Sequence, residues 1–454
     1  MYQTINPATN ELLEDYPVAS ADDVADAVAR SHRAYQGWSS QPLDKRAQSM
    51  HAIAEAFRER TEELAMIITE EMGKRIEESR AELSLVVDIF EYYASRGPEL
   101  LQDEVLNVAG AEAYIRKEPI GPILGIMPWN YPYYQVARLA APNLLLGNTI
   151  LLKHASNCPR AAAAIEQIIH SCGVPQDIYI NLFAPSFLVP AILTDDRLQG
   201  VSLTGSEKAG LAVAELAGRN LKKVVLELGG SDPFIVLDTE NLDEVVDIAA
   251  AARLSNCGQA CNAPKRMIIM ADLYEDFIAS LTRRIEDYRP GNPSDPETML
   301  APLSSQAAAD EFVTQVYDAV DRGATLHSGG EPVNGAGAFV SPALLTDVKP
   351  GMQAYDDEIF GPAVVVFKVR SEDEAVALAN DTKFGLGGSV FSSDRERAVR
   401  VAKRLEVGMV FINSAGGSQA DLPFGGVKRS GIGRELGPLG IEEFMNKKTI
   451  RIAN

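Results

Sequence analysis

Between residues 20 and 96 apolar positions recur at helical spacing. Ser20 precedes Ala21-Asp22-Asp23, the pattern of an N-cap followed by acidic first-turn residues, and Ala25, Val28 and Ala29 begin an apolar face. The spacing predicts a helical N-terminal layer over Ser20 to Arg96. From Ile120 the pattern changes to short apolar runs punctuated by Gly and Pro: Ile123 to Met127, Thr149 to Leu152, Tyr179 to Leu182, Val201 to Thr204 and Val224 to Leu226. Such runs, alternating with helical patterns at Ala161 to Ser171 and Lys208 to Ala217, predict a parallel, doubly wound sheet whose strands are buried on both faces.

A second alternation follows the turn Gly229-Gly230-Ser231-Asp232-Pro233. Strands are expected at Phe234 to Leu237, Arg266 to Met270, Ala363 to Lys368, Ser389 to Phe391 and Met409 to Ile412, with helices at Asp243 to Leu254 and Glu372 to Asn380 between them. The chain thus reads as two Rossmann-like α/β domains meeting near residue 229. The tail Lys447 to Ile452 alternates like an exposed strand and needs a partner, for which another subunit's sheet edge is the natural candidate.

Composition removes several classes of function. The 454 residues exceed one average domain, and 63 Asp+Glu against 42 Lys+Arg give a formal charge of -21, so neither nucleic acid nor an anionic membrane is an expected partner. The most apolar stretch, Val136 to Leu152, is broken by Arg138, Pro142, Asn143 and Asn148, well short of the roughly 20 apolar residues that span a bilayer. Met1 to Asn6 has neither a basic region nor an apolar core of a secretory signal, and four cysteines are too few for a disulfide scaffold, which makes the reduced cytoplasm the expected compartment.

The candidate chemistry lies in the turns. The five histidines form no HxxxH pair and there is no Cys-x-x-Cys, so no metal is expected. Gly205-Ser206 follows a strand and opens a helix, a place either for a phosphate or for ordinary capping. Cys261 sits in a Gly-containing turn between a helix and a strand, where an exposed thiol beside backbone donors and cations fits an activated thiolate; a buried small apolar side chain is the alternative, and Cys158 and Cys172 suit it better. Cys257 lies four residues earlier, so a redox partnership is geometrically possible in a helical segment. Glu227 is a carboxylate in an apolar strand end, where burial raises its pKa toward that of a general base unless a salt bridge holds it. Asn130, in Pro128-Trp129-Asn130-Tyr131-Pro132, places a side-chain amide where it could complete an oxyanion hole, or it belongs to a rigid aromatic turn.

Taken together, these segments resemble the NAD(P)-dependent aldehyde dehydrogenase superfamily over essentially the whole chain. The match includes Pro128 to Pro132, Leu203-Thr204-Gly205-Ser206, Leu226-Glu227-Leu228-Gly229-Gly230, Asn256 to Cys261, Glu358-Ile359-Phe360-Gly361-Pro362 and Pro423-Phe424-Gly425-Gly426-Val427-Lys428, in order and at comparable spacing. The resemblance implies an NAD(P)-binding domain from residues 1–100 and 120–229, a catalytic domain from 230–439, and a small β oligomerisation element from 101–119 and 440–454, hence a homodimer or homotetramer. It implies Cys261 as the nucleophile that forms a thiohemiacetal and then a thioester, Asn130 and the Cys261 N–H as oxyanion donors, and Glu227 as the base that activates the hydrolytic water. Glu227 also argues against transfer of the acyl group to CoA. Glu358 would hold the nicotinamide ribose with Phe360 packing nearby, and Trp129, Lys153, Gly205 and Ser206 would touch the cofactor.

Two details bear on specificity. Many members have Lys-Pro-Ser-Glu where this chain has Lys153-His154-Ala155-Ser156. A Glu there would repel a 2′-phosphate, whereas Lys153 and the Ser156 hydroxyl can accept one, so NADP+ is expected over NAD+, with the possibility that both work. Arg138 stands where succinate-semialdehyde dehydrogenases carry an arginine for the substrate carboxylate, and Ser418 resembles a second carboxylate ligand. A further arginine, six positions before the nucleophile in some members, is replaced by Ser255. Succinic semialdehyde is the leading aldehyde on this reading. The alternatives are aromatic or aliphatic aldehydes held by Tyr131, Tyr134 and Phe424, an interdomain salt bridge at Arg138, and a catalytically silent scaffold.

Overall fold

A computed structural model describes residues 1–333 and 335–453 of the chain. The N-terminal layer forms as four helices, Ala21–Ser39, Leu43–Glu59, Thr61–Met72 and Ile76–Leu100, after a hairpin of Tyr2–Asn6 with Glu11–Tyr16. Ser20 caps the first helix reciprocally: its Oγ accepts from the Asp23 N–H at 3.2 Å and the Asp23 carboxylate accepts from the Ser20 N–H at 2.8 Å.

The first sheet has six strands in the order Gly431–Ile432, Lys223–Glu227, Gly200–Thr204, Pro122–Met127, Thr149–His154, Tyr179–Asn181, all parallel except the first. From Pro122–Met127 the chain winds outward to one side and then returns to the other. The carboxyl ends of Pro122–Met127 and Gly200–Thr204 therefore flank a switch point, the crevice where doubly wound sheets hold ligands. The second sheet has seven strands in the order Thr325–Ser328, Ala343–Thr346, Ala363–Val369, Pro264–Met270, Asp232–Val236, Ser389–Phe391, Phe411–Ile412, parallel except for Thr325–Ser328.

The junction between the sheets positions the site. Lys223–Glu227 ends at Glu227 and Asp232–Val236 begins five residues later, so the carboxyl edge of the first sheet runs directly into the amino edge of the second. Loops leaving one edge (Pro128 to Pro132, Gly205) and loops entering the other (Asn256 to Cys261, Glu358 to Pro362) must meet there.

Three expectations change. Met409–Ile412 is a strand only at Phe411–Ile412, because Gly408 packs its backbone against the loop of Gly425 and Gly426, where a Cβ would come 1.9 Å from the Gly425 carbonyl oxygen. The segment around residue 431, read as part of the second α/β unit, crosses back to pair with Leu226 and Glu227 on the edge of the first sheet. The tail strand, Met445–Ala453, finds a partner within its own chain: it pairs antiparallel with Ala111–Pro119, which Glu104–Leu106 flanks on the other side. Its outer edge carries no strand among the described residues. No helix among them is long and apolar enough to cross a membrane.

Candidate active site

The helix Tyr134–Leu146 is the floor of the site, and all 13 of its residues are buried. Its sequence is apolar on every face apart from Gln135, Arg138 and Asn143, which suits a helix sandwiched between the sheet and the N-terminal helices. Glu82, from Ile76–Leu100, accepts from the N–H groups of Tyr133 and Tyr134 at 2.8 and 3.0 Å and so supplies the cap that the helix's own sequence lacks. Lys74 pairs with Glu82 and lies 3.6 Å from the centroid of the Tyr131 ring, which neutralises the buried carboxylate and fixes Tyr131.

Asn130 is held from both sides. Its Nδ2 donates to the Gln259 carbonyl at 2.9 Å, its Oδ1 accepts from Gln135 Nε2 at 2.9 Å, and its own carbonyl accepts from Asn256 Nδ2 at 2.9 Å. One amide N–H of Asn130 and the backbone N–H of Cys261 have no partner among the described residues. Those are the two donors an oxyanion would need.

The loop that carries Cys261 bends through three left-handed residues, Asn256, Cys257 and Gly258, with φ of 49°, 54° and 74°. Only glycine fits the third position, since a Cβ there would lie 2.3 Å from the Gly361 carbonyl oxygen. Arg253 clamps the same region by donating to the carbonyls of Gly258, Ile359, Gly361 and Ala363, which ties the Cys261 loop to the Glu358 loop. Cys257 is therefore not in a helix with Cys261. It packs in the core of the second α/β unit while Cys261 packs against the first, so the helical spacing that made a redox partnership possible is not formed.

Cys261 stands between two cavities. One of about 490 Å³ is lined by Tyr131, Tyr134, Arg138, Ser418 and Phe424, and the other, of about 410 Å³, by Trp129, Asn130, Gly205, Ser206, Glu227, Glu358 and Phe360. Cys261 and Gln135 line both. The expected substrate residues thus gather on one side of the thiol and most expected cofactor residues on the other. Lys153 and Ser156 line neither cavity; Lys153 lies at the carboxyl end of the neighbouring strand Thr149–His154, its ammonium donating to the His154 carbonyl at 3.3 Å, and Ser156 follows the strand, exposed.

The second cavity fits the ribose-bearing end of a dinucleotide. Gly229 has room for no Cβ, which would lie 2.3 Å from Glu358 Oε2, and the Gly230 N–H donates to Glu358 Oε1 at 3.2 Å, so a carboxylate is fixed against a bare backbone. Trp129 and Phe360 meet edge to face at 5.7 Å, and Ser206 caps the helix Glu207–Arg219, whose amino end opens at the cavity wall.

Burial dominates the electrostatics. It pushes the Cys261 thiol up to about 12, against the pull of Arg138 and Lys265 and with the help of Glu358 and Glu227. The low-pKa thiolate expected from the sequence is thus not a property of the protein alone, because desolvation outweighs both cations. Glu227 is 1% exposed, and neither carboxylate oxygen has a hydrogen-bond partner among the described residues. Burial holds it well above the usual carboxylate range; Arg138 and Arg434 pull it down, Glu435 and Glu443 push it up.

Arg138 is brought to the cavity but does not come free. It is paired with Glu435, donates to Thr204 Oγ1 at 3.0 Å and to the Tyr134 hydroxyl at 3.3 Å, and lies 4.8 Å from the centroid of Phe424. A guanidinium has five N–H donors. Three partners leave two donors unassigned among the described residues. Tyr134 in turn donates to Ser418 Oγ at 2.8 Å. A buried salt bridge to Glu435 and a place on the cavity wall are therefore both present in one residue.

A family model described as the aldehyde dehydrogenase family matches residues 1–450. The chain belongs to the aldehyde dehydrogenase family. Among its relatives, a protein of Deinococcus radiodurans named succinate-semialdehyde dehydrogenase [NADP(+)] is 52% identical over 450 residues, 99% of this chain and 94% of the relative. A Mycobacterium avium protein of the same name is 42% identical over 99% of this chain and 96% of its own length. A solved structure of succinic semialdehyde dehydrogenase from Streptococcus pyogenes in complex with NADP+ superposes with a TM-score of 0.98 at 42% identity, covering 100% of both chains. Family membership makes the protein an oxidoreductase of the aldehyde dehydrogenase type and accounts for both α/β units.

Four residues that the sequence did not single out shape this family site. Gln135 orients Asn130 and faces both cavities. Glu435 holds Arg138. His154, fully buried, accepts from the Ala155 N–H at 2.8 Å and has its other ring nitrogen 3.0 Å from the Pro132 carbonyl, linking the Lys153–Ser156 loop to the Asn130 turn; burial lowers its pKa to about 4, so it stays neutral. Lys265 joins the Cys261 and Glu358 loops. Only Lys265 carried a signal along the chain, a charge at the edge of an apolar strand like that of Glu227.

Proposed function

We propose that the protein oxidises succinic semialdehyde to succinate with NADP+, working in the cytoplasm, where its four free thiols stay reduced. The observation that carries the proposal is the placement of Cys261 between a cavity holding Arg138, Tyr134 and Ser418 and a cavity holding Glu227 and Glu358. Cys261 Sγ, its proton passed to solvent water, adds as the thiolate to the aldehyde carbon, and the free N–H groups of Asn130 and Cys261 hold the resulting oxyanion. A bound NADP+ would supply the acceptor for the hydride lost from this carbon. The acyl group then rests on Cys261 as a thioester, and Glu227 takes a proton from the water that hydrolyses it. Glu358 would hold the nicotinamide ribose, with Trp129, Phe360, Gly205 and Ser206 lining the channel. Lys153 and Ser156 would meet the adenosine end.

The relatives' names and the two unassigned donors of Arg138 support a carboxylate-bearing aldehyde. Arg138→Ala is expected to lower kcat/KM for succinic semialdehyde by about 100-fold, the loss of charge-assisted hydrogen bonds worth ~3 kcal/mol, and to affect butyraldehyde only a few-fold. Since the change also strips Glu435 of its partner, the contrast between the two aldehydes is the informative quantity. Equal losses would point to the second reading, an enzyme for uncharged aldehydes, which the Arg138–Glu435 pair favours by neutralising the guanidinium internally.

The cofactor assignment has its own check. Ser156 is exposed, so a Glu is accommodated there without disturbing the core. Ser156→Glu should cut kcat/KM for NADP+ by at least about tenfold through like-charge repulsion and leave NAD+ little changed. An unaltered NADP+ preference would move the 2′-phosphate site elsewhere. We also infer a homodimer or homotetramer assembled through the outer edge of Met445–Ala453, a nine-residue strand exposed along most of its length. Light scattering that returned a monomer at assay concentration would refute it.

A further inference from the structure

Lys265 is 5% exposed at the start of Pro264–Met270, and a buried ammonium is tolerated only where it is fully hydrogen-bonded and paired. Its Nζ donates to the carbonyls of Ala260 and Cys261, both at 2.8 Å, approaches that of Ala263 at 3.4 Å, and pairs with Glu358 Oε1 at 2.9 Å. Three acceptors belong to the nucleophile loop. The fourth is the carboxylate on the cofactor side. Three N–H groups serve four acceptors, so whatever Glu358 gives up the loop carbonyls gain.

We propose that Lys265 is a positioning residue that couples occupancy of Glu358 by the nicotinamide ribose to the reactivity of the Cys261 thiol. This rests on the reading of Glu358 as the ribose ligand. The groups facing the thiol are Arg138 and Lys265, which favour the thiolate, and Glu358 and Glu227, which oppose it. Ribose hydroxyls that donate to Glu358 spread its charge and weaken its hold on the ammonium. Lys265 then stays on the Cys261 and Ala260 carbonyls, its field at the sulfur less cancelled. No covalent bond changes; one hydrogen-bond partner of Glu358 is exchanged for another.

The test is the rate at which iodoacetamide alkylates Cys261 in the full chain at fixed pH, followed by peptide mass spectrometry to separate it from the other three cysteines. Two probes are compared at saturation: NADPH, which has the nicotinamide ribose but an uncharged ring, and 2′,5′-ADP, which lacks that ribose. Lys265→Met should slow alkylation of the free protein about tenfold, one pKa unit of thiolate. The NADPH to 2′,5′-ADP rate ratio should be at least about threefold higher in wild type than in Lys265→Met, and shielding by bound nucleotide, common to both proteins, cancels. Equal ratios, or wild-type alkylation of Lys265→Met, would overturn the coupling. Should Lys265→Met not fold, Glu358→Gln serves: its alkylation should already be fast and no longer respond to NADPH, and a preserved response overturns the proposal. NADPH affinity is measured alongside by fluorescence. Unchanged affinity in Glu358→Gln defeats the ribose reading, whereas weakened affinity with unchanged alkylation in Lys265→Met defeats the coupling alone.

Discussion

Cys261→Ala is expected to lower kcat/KM for every aldehyde by about 10⁴-fold or more, at least ~5 kcal/mol of transition-state stabilisation, while NADP+ still binds within a few-fold of wild type. The size follows from position: the thiol is the only cysteine lining either cavity, and it lines both, so no other thiol can take over. Ala removes the sulfur and leaves the half-buried loop, with its carbonyls on Lys265, intact. NADPH formation followed by absorbance, with nucleotide binding followed by fluorescence, checks both halves. Retention of more than about one per cent of activity would remove Cys261 from the nucleophile's role.

Glu227→Gln should separate the two half-reactions. A general base typically contributes 10²- to 10⁴-fold, roughly, so steady-state turnover should fall in that range. The first turnover should survive as a burst of NADPH equal to the enzyme, because acylation needs Cys261 and Asn130 but not the base. Loss of the burst along with turnover would show that Glu227 acts before the thioester.

The pH dependence has a definite sign. Burial raises the folded-state pKa of Glu227, so the neutral acid is favoured in the fold and the base form appears only as pH rises above the usual carboxylate range. Wild-type turnover should therefore climb with pH through that ionisation, and the climb should be absent in Glu227→Gln. Stability runs the other way. A raised folded pKa contributes stability that is fully present below the unfolded carboxylate value and lost as pH rises through the folded one. The Tm of wild type should accordingly fall further on the alkaline side than that of Glu227→Gln. Parallel Tm profiles would mean that Glu227 ionises as it does in the unfolded chain.

Much of the architecture was readable from local pattern because each signal was local. The apolar runs of the parallel strands, the Ser20 N-cap and the helix Glu372–Asn380 depend on neighbours a few residues away, and they formed where the pattern placed them. Phe411–Ile412 came out short where Gly408 packs against Gly425 and Gly426, and Gly431–Ile432 crossed to the other sheet to pair with Leu226 and Glu227, partners that no window along the chain contains. The site shows the same division. Turn chemistry and motif order marked Cys261, Glu227 and Asn130.

What the chain could not announce was the partner of each charge. Arg138 looked like a cation awaiting a carboxylate, and the fold supplies one from Glu435, 297 positions away. Cys261 looked like an activated thiol, and burial turned its pKa upward. Residue type and order along the sequence sufficed for the family and its α/β fold and picked out the candidate reacting groups, since those are written in spacing and in the chemistry each side chain can do. Protonation state, the pairing of Arg138 and the Lys265 bridge between two loops were decided only in three dimensions, because desolvation and Coulomb energy depend on distance and dielectric, and both are set by residues brought together from distant parts of the chain.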